Sequence, residues 1–253
     1  MSSPFRLIQI SDCHLFADTT KTGYAAINPH TCLQAVFATV RSHQPDAIVV
    51  SGDVSGDDSE DSYRHFKNLW QGANIQAPLY GLMGNHDQLE YWSLAFNTAA
   101  SHYSASFNNH WHLHVLPCQF EGARGHISAS DIARISKDIA SMPDKFHILA
   151  LHHPLTNAHV WMDRHALFNP ELGVALALSH SAPTLIIHGH VHTAREVELG
   201  RTIQLACPST CWQWGNTEAF SVADLPPGFR ILDLYDNGHW ETQIYYLHKE
   251  SMQ

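Results

Sequence analysis

Five short blocks of this sequence carry residues that ligate metal ions or move protons. They are Asp12-Cys13-His14, Gly52-Asp53, Gly84-Asn85-His86-Asp87, His152-His153-Pro154 and Gly189-His190-Val191-His192. Their side chains offer imidazole nitrogens, carboxylates and an amide oxygen, without a thiolate among the ligand positions. That mixture suits manganese, iron, zinc or cobalt better than a structural zinc finger and leaves the metal's identity open. Seven ligands, Asp12, His14, Asp53, Asn85, His152, His190 and His192, suffice for two ions if one carboxylate bridges them, and Asp53 is assigned the bridge. Paired ions roughly 3.5–4 Å apart lower the pKa of bound water towards 7, supply a nucleophile and clamp the attacking and leaving oxygens of an in-line displacement. Hydrolysis of a phosphate ester is the reaction such a centre serves. Two divalent ions, two carboxylates and a bridging hydroxide leave a net charge of about +1, more if one ion is trivalent, so an anionic phosphate can bind there. Singly, each block has a plainer reading: a chance Asp-x-His, a turn with side-chain caps, a packed strand end. The five in order, each at the same kind of place, reverse that judgement.

The place is a strand end. Segments with strand character cover residues 6–11, 47–51, 78–83, 147–151 and 184–188, each running into one block, with a further segment over 111–116. Helix-like stretches cover 28–43, ending before Pro45, 59–71, ending at Gly72, 130–140 and 170–179. This alternation is the signature of an α/β fold, in which sites form outside the carboxyl ends of the strands. Asp12 and His14 are two residues apart, as are His190 and His192; extended backbone would put each pair on one face, with Cys13 and Val191 opposite. Glycine before three of the blocks suits turns where backbone packs close to the site. After Gly189 the pattern becomes one of hairpins: 196–199 and 202–206 flank Gly200-Arg201, and 229–235 and 240–247 flank Asp236-Asn237-Gly238. Residues 153–169 carry few periodic apolar positions and form a candidate loop over the site, with His159 and His165 on it.

With 253 residues, 44% of them hydrophobic, the chain is long enough to bury a core, and one domain over 1–253 is the expectation. No apolar run approaches the roughly 20 residues that span a bilayer, and residues 1–6 lack the regions of a secretion signal, so a soluble, cytoplasmic protein without membrane partners is expected. The five cysteines form no even framework and are read as reduced thiols. A net charge of −10 argues against a nucleic-acid partner, which would call for clustered Lys and Arg. Most of the 21 histidines, among them His43, His65, His102, His110, His112 and His114, lie outside any block and are read as surface or partly buried residues.

On the five blocks just quoted, the chain resembles the calcineurin-like metallophosphoesterase superfamily. Within it, Gln9-Ile10-Ser11-Asp12-Cys13-His14-Leu15-Phe16, His152-His153-Pro154-Leu155, Pro208-Ser209-Thr210-Cys211 and Pro227-Gly228-Phe229-Arg230 are similar to the class III cyclic-nucleotide phosphodiesterases, most of all the bacterial ones that act on 3′,5′-cyclic AMP. The resemblance extends from about Arg6 to Leu247. It implies a four-layer α/β/β/α sandwich of two mixed sheets flanked by helices. It implies one metal on Asp12, His14, Asp53 and His192 and another on Asp53, Asn85, His152 and His190, either divalent or of mixed valence. His86 would be the general acid, oriented by Asp87, and Asn85, His86 and His192 would also touch the substrate. The implied reaction opens cyclic AMP to 5′-AMP by attack of the bridging hydroxide opposite the 3′ oxygen, with the loop 153–169 bordering the nucleotide. A broader phosphodiesterase or phosphomonoesterase and a non-catalytic metal-binding scaffold remain as alternatives. The oligomeric state stays open, a homodimer being one option.

Overall fold

The computed structural model describes residues 3–97, 102–157 and 160–248. In chain order its elements are β1 (Phe5–Ile10), α1 (Pro29–Ser42), β2 (Ala47–Val50), α2 (Glu60–Ala73), β3 (Leu79–Gly81), the single turn α3 (Trp92–Ala95), β4 (Tyr103–Ser106), β5 (Trp111–Val115), β6 (Cys118–Glu121), β7 (Arg124–Ile127) and α4 (Ala129–Ser141). There follow β8 (Phe146–Ala150), α5 (Glu171–Ala177), β9 (Leu185–His188), β10 (Arg195–Leu199), β11 (Thr202–Ala206), β12 (Gln213–Trp214), β13 (Val222–Ala223), β14 (Gly228–Leu234) and β15 (Trp240–Tyr246).

One sheet has the order β15-β14-β1-β2-β3 and the other β10-β11-β9-β8-β5-β4. In the first, β1, β2 and β3 are parallel and β14 returns antiparallel to β1. In the second, β5, β8, β9 and β11 are parallel, with β4 and β10 antiparallel at the edges. Strand parity builds the layers. Leu7, Val49 and Leu232 of the first sheet meet Leu113, Ile148, Ile187 and Leu205 of the second in one core. The alternate residues Ile8, Ile10, Ile48 and Val50 face Val36, Phe37 and Phe66 of α1 and α2, and Leu149 and Ile186 face Ile135 of α4 and Leu176 of α5. Strands covered on both faces read as continuous apolar runs, which is why 47–50 and 185–187 carry no polar residue. The result is the expected four-layer sandwich of two mixed sheets between helices.

Every expected strand and helix is present to within about two residues. The end of α2 differs in kind. Gly72 lies inside its last turn, and Asn74, with φ of 51°, takes the left-handed position that ends the helix, a role that Asn fills next best after Gly. The strand β4 and the hairpins β6–β7 and β12–β13 were not anticipated; they are two to four residues long and lack an apolar run. No helix among the described residues is long and apolar enough to cross a membrane.

The reading of His112 and His114 as surface or partly buried residues needs correction, because they are 7% and 0% exposed. Register brings them together with His147, which pairs with His112 across β5 and β8. His114 Nε2 and His147 Nδ1 share a hydrogen bond of 3.0 Å, and His112 Nδ1 bonds Ser106 Oγ at 3.0 Å. Burial first, then neighbouring His112, His147 and His102, lower the His114 pKa to about 3. Because the folded pKa lies below the usual 6.5, the unfolded chain binds more protons between those values, and stability falls as pH drops from about 6.5 towards 3. Between pH 6.5 and 4.5, denaturant unfolding should show the native protein losing about 2 kcal/mol more than His114→Leu. Equal losses would mean that His114 takes up its proton in the fold as readily as in the unfolded chain.

Candidate metal centre

The parallel strands β1, β2 and β3 in one sheet and β8 and β9 in the other end side by side, so that Asp12 and His14, Asp53, Asn85, His152, and His190 and His192 all emerge at one end of the sandwich. Hydrogen bonds stitch these ends within and across sheets: Asp12 N to Gly52 O at 2.9 Å, His14 N to Asp53 O at 3.0 Å, and Gly189 N to His152 O at 3.1 Å. The His190 backbone N–H reaches across to the Asp12 carboxylate at 3.1 Å.

Each two-residue pair does share the site, but not through extended backbone. Asp12, His14, Asp53, His190 and His192 all have positive φ, of 55°, 47°, 56°, 67° and 44°. Left-handed backbone is rare for residues with a Cβ, although Asp and His are enriched there, and it costs of order 1–3 kcal/mol per residue. Two left-handed residues around Cys13, and two around Val191, fold each pair back towards the centre. The glycines before the blocks act as expected. A Cβ on Gly84 would overlap Asp53 Oδ1, and one on Gly189 would overlap Ser11 Oγ and approach Asp12 Oδ2.

The ligand atoms form two overlapping groups about Asp53. On one side His14 Nε2 lies 3.0 Å from His192 Nε2, which is 3.4 Å from Asp12 Oδ1. On the other, His152 Nε2 lies 3.4 Å from Asp53 Oδ2, the same oxygen that is 3.8 Å from His14 Nε2. The far nitrogens are fixed by carbonyls: His152 Nδ1 by Ser51 O at 2.7 Å, His192 Nδ1 by Trp212 O at 2.9 Å, and His190 Nε2 by His165 O at 3.2 Å. Such contacts set which nitrogen of each ring is left for a metal. Two buried atoms at the centre, Asn85 Oδ1 and His152 Nε2, have no hydrogen-bond partner among the described residues. A buried acceptor left this way is costly unless something else satisfies it, and a cation between oxygen and nitrogen ligands would do so. The set therefore fits divalent metal.

Electrostatics agree. Burial would lower the His152 pKa, but the negative charge of the Asp53 carboxylate 3.4 Å away outweighs burial and pushes it up to about 9, while Asp53 itself is held well below the usual range. Burial takes His14 down to about 3 and His190 well below its ordinary value. Three of these side chains are thus ready as neutral imidazole or carboxylate ligands, and His152 must release a proton to bind.

The role expected of Asp87 needs correction. Rather than bonding the His86 ring, its two oxygens accept from the backbone N–H groups of Asp53 and Gly84 at 2.8 Å, Val54 at 3.0 Å and Ser55 at 3.3 Å, and from Tyr63 OH at 2.9 Å. Burial and the Asp53 carboxylate nevertheless raise Asp87 to about 6. Asp87 thus fastens the turn that carries Asp53. His86 is exposed, its ring centre lies 5.1 Å from that of His14 in an edge-on arrangement, and its backbone N–H donates to Asp53 Oδ1 at 2.9 Å.

A cleft of about 730 Å³ opens onto the centre. The loop 153–169 borders it, as expected, through Trp161, Met162 and His165, while His159 lies outside the described residues. Its other side is aromatic: Tyr24, Trp214 and Phe220. These rings, and Trp212 stacked 5.3 Å from His14, were missed, because residue type alone does not separate an aromatic cleft wall from a core. His153, also unassigned, stacks on His190 at 3.9 Å.

The sequence pattern of the calcineurin-like phosphoesterases matches residues 5–194. The chain belongs to that family. Over 251 residues it is 32% identical to the 3′,5′-cyclic adenosine monophosphate phosphodiesterase of Escherichia coli, covering 96% of this chain and 90% of that one. The enzyme of the same name from Pseudomonas aeruginosa is 32% identical over 94% and 88%, and a 3′,5′-cyclic-nucleotide phosphodiesterase of Nostoc is 28% identical over 95% and 92%. A dimetal phosphatase from Danio rerio has the same fold, with a TM-score of 0.70 at 11% identity over 93% of this chain and 94% of that one. Membership of this phosphoesterase family, with His and Asp ligand atoms gathered as they are, makes the cluster a dinuclear divalent metal centre.

Asp87→Asn tests the fastening role. An amide presents one acceptor where the carboxylate presents two, so backbone N–H groups are left facing an NH₂. Urea unfolding should show a loss of about 2–4 kcal/mol, and elemental analysis a fall in bound metal. Had Asp87 acted only by orienting His86, stability and metal content would be unaltered.

Proposed function

We propose that this chain is a metal-dependent phosphodiesterase that opens 3′,5′-cyclic AMP to 5′-AMP. The observation that carries the reading is the ring of ligand atoms about Asp53, with Asn85 Oδ1 and His152 Nε2 buried and unpartnered within it. The choice of cyclic AMP is supported by the names of relatives 32% identical over nearly the whole length. Asp12, His14, Asp53 and His192 would hold one ion and Asp53, Asn85, His152 and His190 the other. Manganese, iron, zinc and cobalt all suit these oxygen and nitrogen ligands. When bound, the ions supply positive charge for the phosphoryl oxygens and a water acidified to near neutrality as nucleophile.

The chain's own residues do the rest. Two hydrogen bonds hold Asp53 between the two groups: His86 N–H donates to its carboxylate, and its own backbone N–H donates to the Asp87 carboxylate. His86 extends into the open cleft and is assigned the proton that goes to the departing 3′ oxygen, while Asn85, His86 and His192 line the space that the phosphate would fill. First and last strands pair with neighbours in one sheet, which supports a single working domain over 1–253. Five unpaired thiols support a cytoplasmic location.

Manganese-loaded protein should convert cyclic AMP to 5′-AMP with negligible 3′-AMP. A mixture, or faster cleavage of phosphomonoesters, would favour a broader phosphoesterase. General acids typically contribute 10²–10⁴-fold in rate, in proportion to the leaving group's need for a proton. His86→Ala should therefore keep its metal and lose most activity on cyclic AMP, and lose much less on bis(p-nitrophenyl) phosphate, whose phenolate leaves unaided. Equal losses, with chemistry rate-limiting on both substrates, would remove the general-acid role and leave the metal centre intact.

A further inference from the structure

The cleft over the metal centre has two unlike sides, and the mechanism uses only one. Beside the ligand side chains the same cleft is lined by Tyr24, Trp161, Trp214 and Phe220. They come from three separate stretches: the turn Tyr24–Ala26, the turn Trp161–His165, and the segment after β11. Their contacts with one another are mainly edge-on. Trp161 meets Trp214 at 5.3 Å and 80° and Phe220 at 4.9 Å and 76°, and Tyr24 meets Trp214 at 5.0 Å and 78°. Edge-on packing fixes the rings against one another while covering at most one face of each ring in a pair. The wall is tied to the metal side, since Trp214 stacks on His192 at 4.7 Å and 21°.

Two of these rings stand half in solvent, Tyr24 at 49% and Phe220 at 50% exposed. Tyr24 is also held by unusual backbone: the next two residues, Ala25 and Ala26, have φ of 54° and 57°. Left-handed alanine is uncommon, and persists where surrounding structure dictates it, often beside a ligand. Exposed aromatic faces, rigidly held on the wall of a catalytic cleft, are a binding surface for another flat ring.

We infer that this wall is the nucleobase subsite, with Tyr24 and Phe220 receiving the base by stacking and Trp161 and Trp214 backing them. The inference rests on the cyclic-nucleotide reading above. One furanose ring separates phosphate from base in the substrate, and one indole, that of Trp214, separates His192 from Tyr24 and Phe220. Tyr24 and Phe220 are 5.6 Å apart and tilted by 55°, which leaves no gap for a third ring, so the base lies against the wall and not between them. Stacking reads no donor or acceptor pattern. The subsite therefore tolerates either purine and holds purines better than the smaller pyrimidines.

The test compares cyclic AMP with methyl riboside 3′,5′-cyclic phosphate, the same cyclic diester without a base, on manganese-loaded wild type, Tyr24→Leu, Phe220→Leu and the double variant. Leucine keeps apolar bulk and removes the stacking face. Replacing an aromatic ring on which a base stacks typically weakens binding about 5- to 150-fold. Wild type should prefer cyclic AMP at least tenfold in kcat/KM, chiefly through KM, and the double variant should bring that ratio close to one. A ratio that the variants leave unmoved, or that is already near one in wild type, overturns the inference while sparing the cyclic-diester reading. Should wild type cleave bis(p-nitrophenyl) phosphate but not cyclic AMP, the cyclic-nucleotide reading itself fails. Tryptophan fluorescence titrated with 5′-AMP then decides the subsite separately: quenching that the double variant abolishes upholds it, and no quenching overturns it.

Discussion

Three carboxylates buried together at one end of the sandwich set the terms for the rest of this molecule. Asp12, Asp53 and Asp87 are 0%, 2% and 7% exposed and gather at the ends of β1, β2 and β3. Buried charge is tolerable only when it is paired, hydrogen-bonded or shared with a cation. Each carboxylate meets that demand in its own way. Asp87 has four backbone N–H groups and a tyrosine hydroxyl, Asp12 has the His190 N–H and His192, and Asp53 has the His86 N–H and His152. Only Asp87 is saturated by the protein. Asp12 and Asp53 keep oxygens directed at imidazoles that carry a free nitrogen, and that incompleteness is what a pair of cations completes.

Holding such a cluster requires backbone that the strands themselves cannot supply. Five of the seven expected ligands lie in the left-handed region, which stores of order several kcal/mol at one end of the sandwich. Such strain survives because parallel strands buried on both faces fix the residues just before it. Cross-sheet ties strengthen the hold: Gln9 Nε2 donates to His188 O at 3.0 Å, and Arg230, on β14, donates to Ala206 O of β11 at 2.9 Å. The hydrophobic layers and the site are thus one design. The core is rigid where the chemistry needs ligand atoms kept short of their own relaxed geometry.

Much of this was legible in the sequence, for particular reasons. Strands such as 47–50 and 185–187 announce themselves because burial on both faces leaves no alternation, and ligand residues announce themselves because Asp, Asn and His recur in order at the ends of five such strands. The family resemblance supplied the partition of ligands. What remained hidden depends on contacts between residues far apart in the chain. That Asp87 grips the loop of Asp53 instead of the neighbouring His86 follows from the direction of its carboxylate, which spacing does not encode. His112, His114 and His147 form a buried group only because β5 and β8 pair in that register. The left-handed turns at Asp12 and His190 replace an alternation that looks identical on paper. Tyr24, Trp161, Trp214 and Phe220 meet only in three dimensions.

The charge of the whole protein gives the aromatic side of the cleft its meaning. A net charge of −10 opposes an anionic nucleotide and the metal centre attracts it, but at physiological strength salt screens both beyond about 8 Å. The centre alone would also treat all phosphate esters of similar shape alike, because it touches only the group they share. An uncharged wall of rings adds affinity that neither salt nor net charge weakens, and it adds it on the part of the substrate that differs between esters. Because Trp214 packs against His192, the two sides cannot drift apart, so contact made at the wall is transmitted as correct placement of phosphorus. Placement, rather than raw attraction, is then what an acidic phosphodiesterase of this build relies on.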